Sequence, residues 1–269
     1  KSKPKTETLH KTQASVFSIS RDFCKTSLFW LANVIFLTFW RRYSTISIME
    51  QSIEKLISDN AEKFEKYYNM LVEWNQKFNL TAITDREGIF VKHFADSLLG
   101  ERYVPQNATV LDVGTGAGFP SLPVKIARPD VRLTLNDSLQ KRIGFLNEVV
   151  AALGLQDVQT IHARAEDLKE RDYYDVVLSR AVAPLNILAE YCLPFVRVGG
   201  KFVAYKAEDC AEEVTAAENA IKTLGGKLLS VDKIRLDENT VRAFVVVEKT
   251  RKTDKKYPRG KNLPRKAPL

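Results

Sequence analysis

The sequence predicts an α/β fold: a seven-stranded, mostly parallel sheet with an antiparallel last strand, covered by helices and preceded by a helical N-terminal extension. Apolar runs of strand length alternate with segments of helical spacing between residues 105 and 248. The first run ends at Gly114, Gly116 and Gly118, and a helical segment follows, as in the first half of a nucleotide-binding βαβ unit. Only Asp237-Glu-Asn239 separates the last two strands, so we expect them to pair antiparallel.

The alternating pattern places each element in turn. Strands are expected at 109–113, 131–136, 157–162, 174–179, 200–205, 227–235 and 241–248. Helices are expected at 120–128, 138–153, 185–196 and 207–224. Glycines stand after three of the helical stretches, where glycine commonly ends a helix: Gly154, Gly199-Gly200 and Gly225-Gly226.

The segment before the sheet is expected to be helical. Apolar residues recur every three or four positions from Ser52 to Phe78, with a break near Ser58-Asp59-Asn60, and predict two helices. Thr84-Asp-Arg-Glu87 fits a capping box that opens a third helix. We therefore divide the chain into an upstream extension (1–48), a helical cap (49–104), the α/β domain (105–248) and a basic tail (249–269).

Residues 1–48 differ from the rest of the chain. Their apolar run from Leu28 to Trp40 is shorter than the ~20 residues of a spanning helix, and Asn33 interrupts it. Met49 then opens an amphipathic helix, so an upstream extension is the favoured interpretation, with a transit segment or a membrane anchor as alternatives. We expect a cytoplasmic protein without stable membrane association, or an organellar one if the segment is a transit sequence.

The net charge of +8 comes from the two ends of the chain. From residue 249 onward Lys and Arg face a single acid, Asp254, whereas residues 49–248 hold more acids than bases. Basic tails commonly hold polyanions through phosphate contacts, although a merely solvated tail is the alternative.

Cysteine and histidine spacing argues against a metal site. The three cysteines, Cys24, Cys192 and Cys210, show no C-x-x-C pattern, and the three histidines show no ligand spacing. An odd number of cysteines also favours a reducing compartment.

The spacing of the glycines separates two classes of ligand. A dinucleotide fingerprint needs its third glycine at position 119, where this chain has Phe119. No Lys-Ser/Thr pair follows the glycines, which argues against a P-loop. Asp137, at the end of the second strand, can accept hydrogen bonds from the ribose hydroxyls of a nucleoside. The pattern favours a nucleoside site, and the alternative is a turn that only packs helix on strand.

Further candidates lie at the carboxyl ends of the strands, where ligands of open α/β sheets bind. Beyond the glycines these ends carry Asp137-Ser138, Ala165-Glu166, Arg180 and Lys206. Arg180 can reach a carboxylate or a phosphate there, although a surface arginine paired with a nearby acid is the alternative. The segment His93-Phe-Ala-Asp-Ser97 is a weak candidate for a catalytic triad, because such groups normally come from separate elements.

Seven segments carry a more specific resemblance. They are Trp74-Asn-Gln-Lys-Phe-Asn-Leu80, His93-Phe-Ala-Asp-Ser97, Asp112-Val-Gly-Thr-Gly-Ala-Gly-Phe-Pro120, Asp137-Ser138 with Lys141-Arg142, His162-Ala-Arg-Ala-Glu166, Ser179-Arg-Ala-Val-Ala-Pro184, and the tail from Lys256-Tyr-Pro-Arg259 to Pro268-Leu269. With these, residues 49–269 resemble the bacterial 16S ribosomal RNA guanine-N7 methyltransferase family, also called glucose-inhibited division protein B. The chain departs from the family pattern at Asn136, usually apolar, and at Gly260-Lys-Asn-Leu-Pro264.

The resemblance implies a Rossmann-like class I methyltransferase, acting as a monomer, that moves a methyl group from S-adenosylmethionine to N7 of a guanine in small-subunit ribosomal RNA. The family's cofactor contacts fall on Gly114, Phe119, Ala165, Glu166 and Arg180, and the strand-end rule adds Gly116, Gly118, Asp137 and Ser138. Arg180 is the expected catalytic residue, as a positioner of cofactor or base. RNA contacts are expected at Lys125, Lys141, Arg142, Lys206, Lys256 and Arg259. Guanine N7 is an unprotonated acceptor, so no general base is required.

Two other functions stay open. One is a small-molecule or protein methyltransferase of the same fold, and the other is a non-catalytic RNA-binding assembly factor; Phe119 disfavours a nicotinamide dehydrogenase. Trimming residues 249–269 distinguishes the first from an RNA methyltransferase, in which RNA methylation should suffer while cofactor binding survives. Absence of S-adenosylmethionine binding would favour the assembly factor.

Overall fold

One seven-stranded sheet organises the computed structural model, which describes residues 48–237 and 240–269. Its strands are β1 (Thr109–Val113), β2 (Arg132–Asp137), β3 (Val158–His162), β4 (Tyr174–Arg180), β5 (Val196–Ala207), β6 (Gly226–Arg235) and β7 (Val241–Lys249). Of the expected extension (1–48), residues 1–47 lie outside the described residues.

The strand order is β3-β2-β1-β4-β5-β7-β6. β1 to β5 pair in parallel, and β7 runs antiparallel between β5 and β6. The predicted fold class is therefore confirmed. The order reverses between β1 and β4, and such a switch point is where open α/β sheets bind ligands. Because β1, β2 and β4 are parallel, their carboxyl ends lie at the same edge of the sheet.

Helices cover both faces of the sheet. They are α1 (Ile48–Asp59), α2 (Ala61–Phe78), α3 (Arg86–Ile89, then a π-helical turn Phe90–Ala95, then Asp96–Leu98), α4 (Ser121–Ala127), α5 (Gln140–Ala152), α6 (Leu185–Cys192), α7 (Ala211–Thr223) and α8 (Leu263–Lys266). The central strand β1 is buried along its whole length, because helices pack on both faces of the sheet there. At the sheet edge β6 alternates between exposed and half-buried residues, since only one of its faces is covered.

The expected helix cap at Gly199-Gly200 is wrong. α6 ends at Cys192 and β5 begins at Val196, so both glycines lie within the strand. Gly199 has a φ of +83°, and a Cβ at Gly200 would lie 2.7 Å from the carbonyl oxygen of Asp175. The β4–β5 register shifts between Tyr174 and Val176, so the glycines accommodate a bulge.

The third helix begins one residue later than the predicted capping box. Asp85, not Thr84, is the N-cap, and its carboxylate accepts a hydrogen bond from the Gly88 amide at 2.6 Å. The helix then widens into a π turn over Phe90–Ala95, a form that often marks functional sites. This turn places His93 and Asp96 beside the carboxyl edge of the sheet.

The C-terminal segment folds back onto the domain. Tyr257 and Pro264 are buried, and Leu269 packs against the core cluster around α6. Arg171 donates hydrogen bonds to the carbonyl oxygens of Tyr257 and Asp254. Residues 250–269 are thus packed on the α/β domain.

No helix within residues 48–237 and 240–269 has the length and apolar character needed to cross a membrane.

Candidate functional site

The three glycines form the turn between β1 and α4. Their φ angles are +71°, +62° and +97° at Gly114, Gly116 and Gly118, which only glycine adopts readily. The amides of Gly114 and Thr115 both donate to the carbonyl oxygen of Asn136, at 2.9 and 3.0 Å. The turn is therefore tied to the end of β2.

Each glycine faces a different environment. A Cβ on Gly118 would lie 2.6 Å from the hydroxyl of Tyr67, and one on Gly114 would lie 2.6 Å from the Cγ2 methyl of Val182. A Cβ on Gly116 would meet no atom within 4 Å. The space above the turn is thus open at Gly116 and bounded by Val182 at Gly114.

Asp137, the last residue of the neighbouring strand β2, contacts the glycine turn. Its side chain is 2% exposed and accepts hydrogen bonds from the Gly116 amide at 3.0 Å and the Leu139 amide at 2.9 Å. Arg142 adds a contact at 3.1 Å. Ser138, which follows, is exposed. The carboxylate lies against the glycine turn, as the sequence predicts.

The end of β3 is tied to β2 by the unusual Asn136. Its side-chain amide donates to the carbonyl oxygens of Ile161 at 3.2 Å and Ala163 at 2.9 Å. This departure from the family pattern therefore fixes the chain that leads into the 3₁₀ turn Ala165–Asp167. Within that turn the Glu166 side chain is 6% exposed, and the nearest cation is Arg164 at 3.9 Å.

Arg180, the last residue of β4, is bound inside the protein. Its guanidinium lies 2.6 Å from the Asp96 carboxylate and 5.1 Å from the centre of the Phe119 ring. The other Asp96 oxygen accepts from Arg242 at 2.6 Å, and Asp96 is fully buried. Arg180 is thus held by a buried carboxylate of the helical cap and not by a nearby surface acid.

His93 stacks on Phe119 beside Arg180. The two rings lie 4.5 Å apart at 20°, and the His93 Nε2 atom lies 2.7 Å from the Thr81 hydroxyl. Burial first and the Arg180 charge second lower the pKa of His93 to about 4. The Ser97 hydroxyl donates to the His93 carbonyl oxygen, so the segment does not form a triad.

Asp112 lies beneath the turn, fully buried. One of its oxygens accepts from the Thr115 hydroxyl at 2.8 Å and the Ser121 amide at 3.3 Å. The other oxygen has no hydrogen-bond partner among the described residues. Burial raises the pKa of Asp112 to about 7, against the opposing effect of those hydrogen bonds.

Comparison with known proteins decides the family. A family model described as GidB, rRNA small subunit methyltransferase G, matches residues 60–242. The ribosomal RNA small subunit methyltransferase G of Desulforamulus reducens is 50% identical over 232 residues, which are 82% of this chain and 97% of that protein. The protein of that name from Staphylococcus epidermidis is 46% identical over 228 residues, 82% of this chain and 95% of its own. The chain belongs to the rRNA small subunit methyltransferase G family.

A solved structure shares the fold. M. jannaschii TYW2, crystallised in complex with AdoMet, superposes with a TM-score of 0.51 over 62% of this chain and 79% of that chain, at 16% identity. At this identity the likeness shows the fold alone, which is the Rossmann-like fold of class I methyltransferases.

Two of the lysines expected to contact RNA instead make hydrogen bonds and an ion pair within the protein. Lys125 is 2% exposed and donates to the carbonyl oxygens of Pro129 at 2.8 Å and Val131 at 2.5 Å. Lys206 donates to the Ala183 carbonyl oxygen at 2.9 Å and pairs with Glu213 at 2.5 Å. Because neither ammonium group can reach a phosphate without breaking these contacts, both RNA assignments are withdrawn.

The remaining RNA candidates differ in their exposure to solvent and in how far contacts within the protein already engage their side chains. Lys141 is exposed, with its ammonium 5.9 Å from the Phe78 ring centre, and Lys256 is exposed beside Asp254. Arg142 contacts Asp137. Arg259 is largely used within the protein, since it pairs with the buried Glu190 at 2.6 Å.

A cavity of about 660 Å³ lies away from the glycine turn. Arg171 and Asp172, which precede β4, and residues 251–255, which follow β7, line it. These segments lie at the edge of the sheet opposite the carboxyl ends of the parallel strands, so the cavity is not part of the candidate site.

The sequence does not assign Tyr67 or Arg242 to the site, and it offers Asp96 only within the weak triad candidate His93-Phe-Ala-Asp-Ser97. Tyr67 donates from its hydroxyl to the Ala117 carbonyl oxygen and stacks on Phe119. Its position in the apolar stripe of α2 indicated burial but not its partner. A charged Asp96 between apolar Phe94 and Leu98 was the one available signal for a buried ion pair.

Proposed function

We propose that this chain transfers the methyl group of S-adenosylmethionine to N7 of a guanine in small-subunit ribosomal RNA. One observation carries the proposal: a glycine turn with open space at Gly116 lies against Asp137, in a member of the rRNA small subunit methyltransferase G family. The monomeric state and the cytoplasmic location stay predictions.

The residues around the turn fit a nucleoside that carries a sulfonium and an ammonium group. Asp137 accepts three N–H groups, and a carboxylate has about four acceptor sites, so one stays available to a ribose hydroxyl. Glu166 supplies a second shielded carboxylate, and Gly116 leaves room for close approach. Gly114, Gly118, Phe119, Ser138 and Ala165 would complete the contacts. When bound, S-adenosylmethionine supplies an electrophilic methyl group.

The geometry of the crevice suits a nucleophile that needs no base. N7 of guanine attacks through an in-plane lone pair and loses no proton. His93 is half-buried and bound to Thr81, and Arg180 is bound to Asp96, so both shape the crevice wall beside Phe119. Alignment in a site with little water then supplies the rate enhancement. Arg180 is proposed as a positioning residue through Phe119.

The proposed RNA face lies beside the start of α5. Lys141 is exposed next to Phe78, which is itself 37% exposed. A cation for phosphates beside an aromatic ring for bases is the pairing that single-stranded RNA prefers. Arg142 and Lys256 stay in the proposal as phosphate contacts, and Arg259 as a weaker candidate because of its pair with Glu190.

The glycine turn offers a sharp test of the donor site. Gly116→Ala introduces a methyl group into the open space, and Gly154→Ala is its matched control: Gly154 has a φ of +61° and no atom within 4 Å of a Cβ, but caps α5. Both substitutions should cost about 1 kcal/mol of stability, because alanine is strained at positive φ. Only Gly116→Ala should weaken S-adenosylmethionine binding, by about tenfold or more, in titration calorimetry. Equal binding by the two variants would overturn the donor site.

The product is tested in ribosomal RNA. Mass spectrometry of small-subunit RNA from cells lacking the gene should show one missing 7-methylguanosine, restored by the wild-type gene and not by the Gly116→Ala gene. An undiminished 7-methylguanosine content in cells lacking the gene would refute the enzymatic proposal, whereas restoration by the variant would argue against Gly116 as part of the donor site. Failure of the purified protein to bind S-adenosylmethionine would instead favour a non-catalytic assembly factor.

A further inference from the structure

The C-terminal segment reaches the loop that follows β4. α8 packs against α6, and Pro264 is buried in that contact. The Tyr191 hydroxyl of α6 lies 3.4 Å from the Asn262 side chain at the start of α8. The segment therefore has a defined position beside the candidate site.

One ion pair anchors the segment. Arg259 places its guanidinium against both oxygens of Glu190, with the shortest contact at 2.6 Å, and Glu190 is 1% exposed. The same guanidinium donates to the Ala267 carbonyl oxygen at 2.9 Å. Arg259 therefore contacts both α6 and the chain after α8, and the two contacts together position α8.

Arg265 of α8 binds the loop itself. Its guanidinium donates to the Val182 carbonyl oxygen at 3.2 Å. The next carbonyl, that of Ala183, accepts from Lys206 of β5 at 2.9 Å. Two cations thus hold consecutive carbonyl groups of one loop, Lys206 from within the sheet and Arg265 from the C-terminal segment.

The loop forms one wall of the space above the glycine turn. The Cγ2 methyl of Val182 lies over Gly114, 2.6 Å from where a Cβ would stand. Ala165, Val182 and Leu269 all pack on the same core cluster. A shift of the loop therefore changes the width of the space available to a ligand at Gly116.

We propose that Arg265 is a positioning residue of the methyl-donor site: it holds Val182 against the glycine turn through the Val182 carbonyl. The inference rests on the proposed function. It predicts, in contrast to the expectation from the sequence, that trimming residues 249–269 also weakens cofactor binding, because trimming removes this contact. Loss of one hydrogen bond to the loop should weaken cofactor binding about threefold to tenfold.

The test measures S-adenosylmethionine binding by titration calorimetry in the absence of RNA. Arg265→Ala should raise the dissociation constant, and Arg265→Lys should restore most of the affinity because an ammonium group can also donate to the carbonyl. Lys266→Ala is the matched control, since it removes the neighbouring cation, which is exposed. Melting temperatures should agree among the variants within a few degrees, which separates positioning from unfolding.

The possible results test the Arg265 proposal and the proposed function separately. Unchanged cofactor affinity in Arg265→Ala overturns the inference. If the wild-type protein itself binds no S-adenosylmethionine, the proposed function fails, and that result is distinguishable from failure of the Arg265 proposal.

Discussion

The guanidinium of Arg180 lies 2.6 Å from the carboxylate of Asp96, and this contact joins the end of β4 to the helical cap. Arg242 of β7 binds the other oxygen of the same carboxylate at 2.6 Å. One buried acid thus holds cations from two strands, and it does so beside Phe119 of the glycine turn. The helical cap is therefore part of the site that the sheet presents.

Asp96→Asn should destabilise the protein strongly. The substitution keeps the shape of the side chain but leaves two largely buried arginines facing a neutral amide. Breaking a buried pair in this way should lower the free energy of unfolding by about 3 kcal/mol, measured by urea denaturation. Glu73→Gln is the control, because its pair with Lys77 is exposed and should be worth less than about 0.5 kcal/mol. Similar costs for the two variants would show that the Asp96 cluster adds little stability.

Asp112 should make the protein less stable as the pH rises. Its pKa is raised by burial from 3.8 to about 7, so between these values the folded state binds more protons than the unfolded state. Stability contributed by this group is therefore present at low pH and falls by about 1.4 kcal/mol per pH unit as the pH rises through the window. In Asp112→Asn this slope should be absent from urea denaturation curves between pH 4 and pH 7. An unchanged slope would mean that Asp112 does not titrate in this range.

His93 should change the pH dependence of stability in the opposite direction to Asp112. Burial lowers its pKa from 6.5 to about 4, so in that window the unfolded state binds more protons and stability falls as the pH falls. His93→Gln keeps a polar group near Thr81 and removes the titration. Its stability should decline less on acidification than that of the wild type, whereas the stability of Asp112→Asn should decline more. If His93→Gln lost stability on acidification as steeply as the wild type, the pKa assignment of His93 would be wrong, and if Asp112→Asn lost it no more steeply, that of Asp112 would be wrong.

Much of the site was predictable from the sequence because it depends on local order along the chain. Strand, glycine turn and helix follow one another directly, and parallel pairing then brings Asp137 beside Gly116. The Asp96 cluster was not predictable, since its partners lie 84 and 146 residues away. Lys125 shows a different limit: its partners are near in sequence, but only the conformation of the loop after α4 turns two carbonyl groups toward its ammonium.

Substitutions of Lys141 and Lys125 should have different effects, because Lys141 is a proposed RNA contact and Lys125 is a structural lysine. Lys141 is exposed beside Phe78, so Lys141→Ala should weaken binding to a small-subunit RNA fragment and reduce the salt dependence of log K by about 1. Lys125→Met should leave that slope unchanged but lower the free energy of unfolding by about 1–3 kcal/mol, since the carbonyl group of the buried Val131 loses its donor. Lys227→Ala, an exposed cation on the edge strand β6, controls for the loss of one charge far from the site. If Lys227→Ala lowered the slope as much as Lys141→Ala, the attraction would depend on net charge, and the RNA face beside α5 would have to be abandoned.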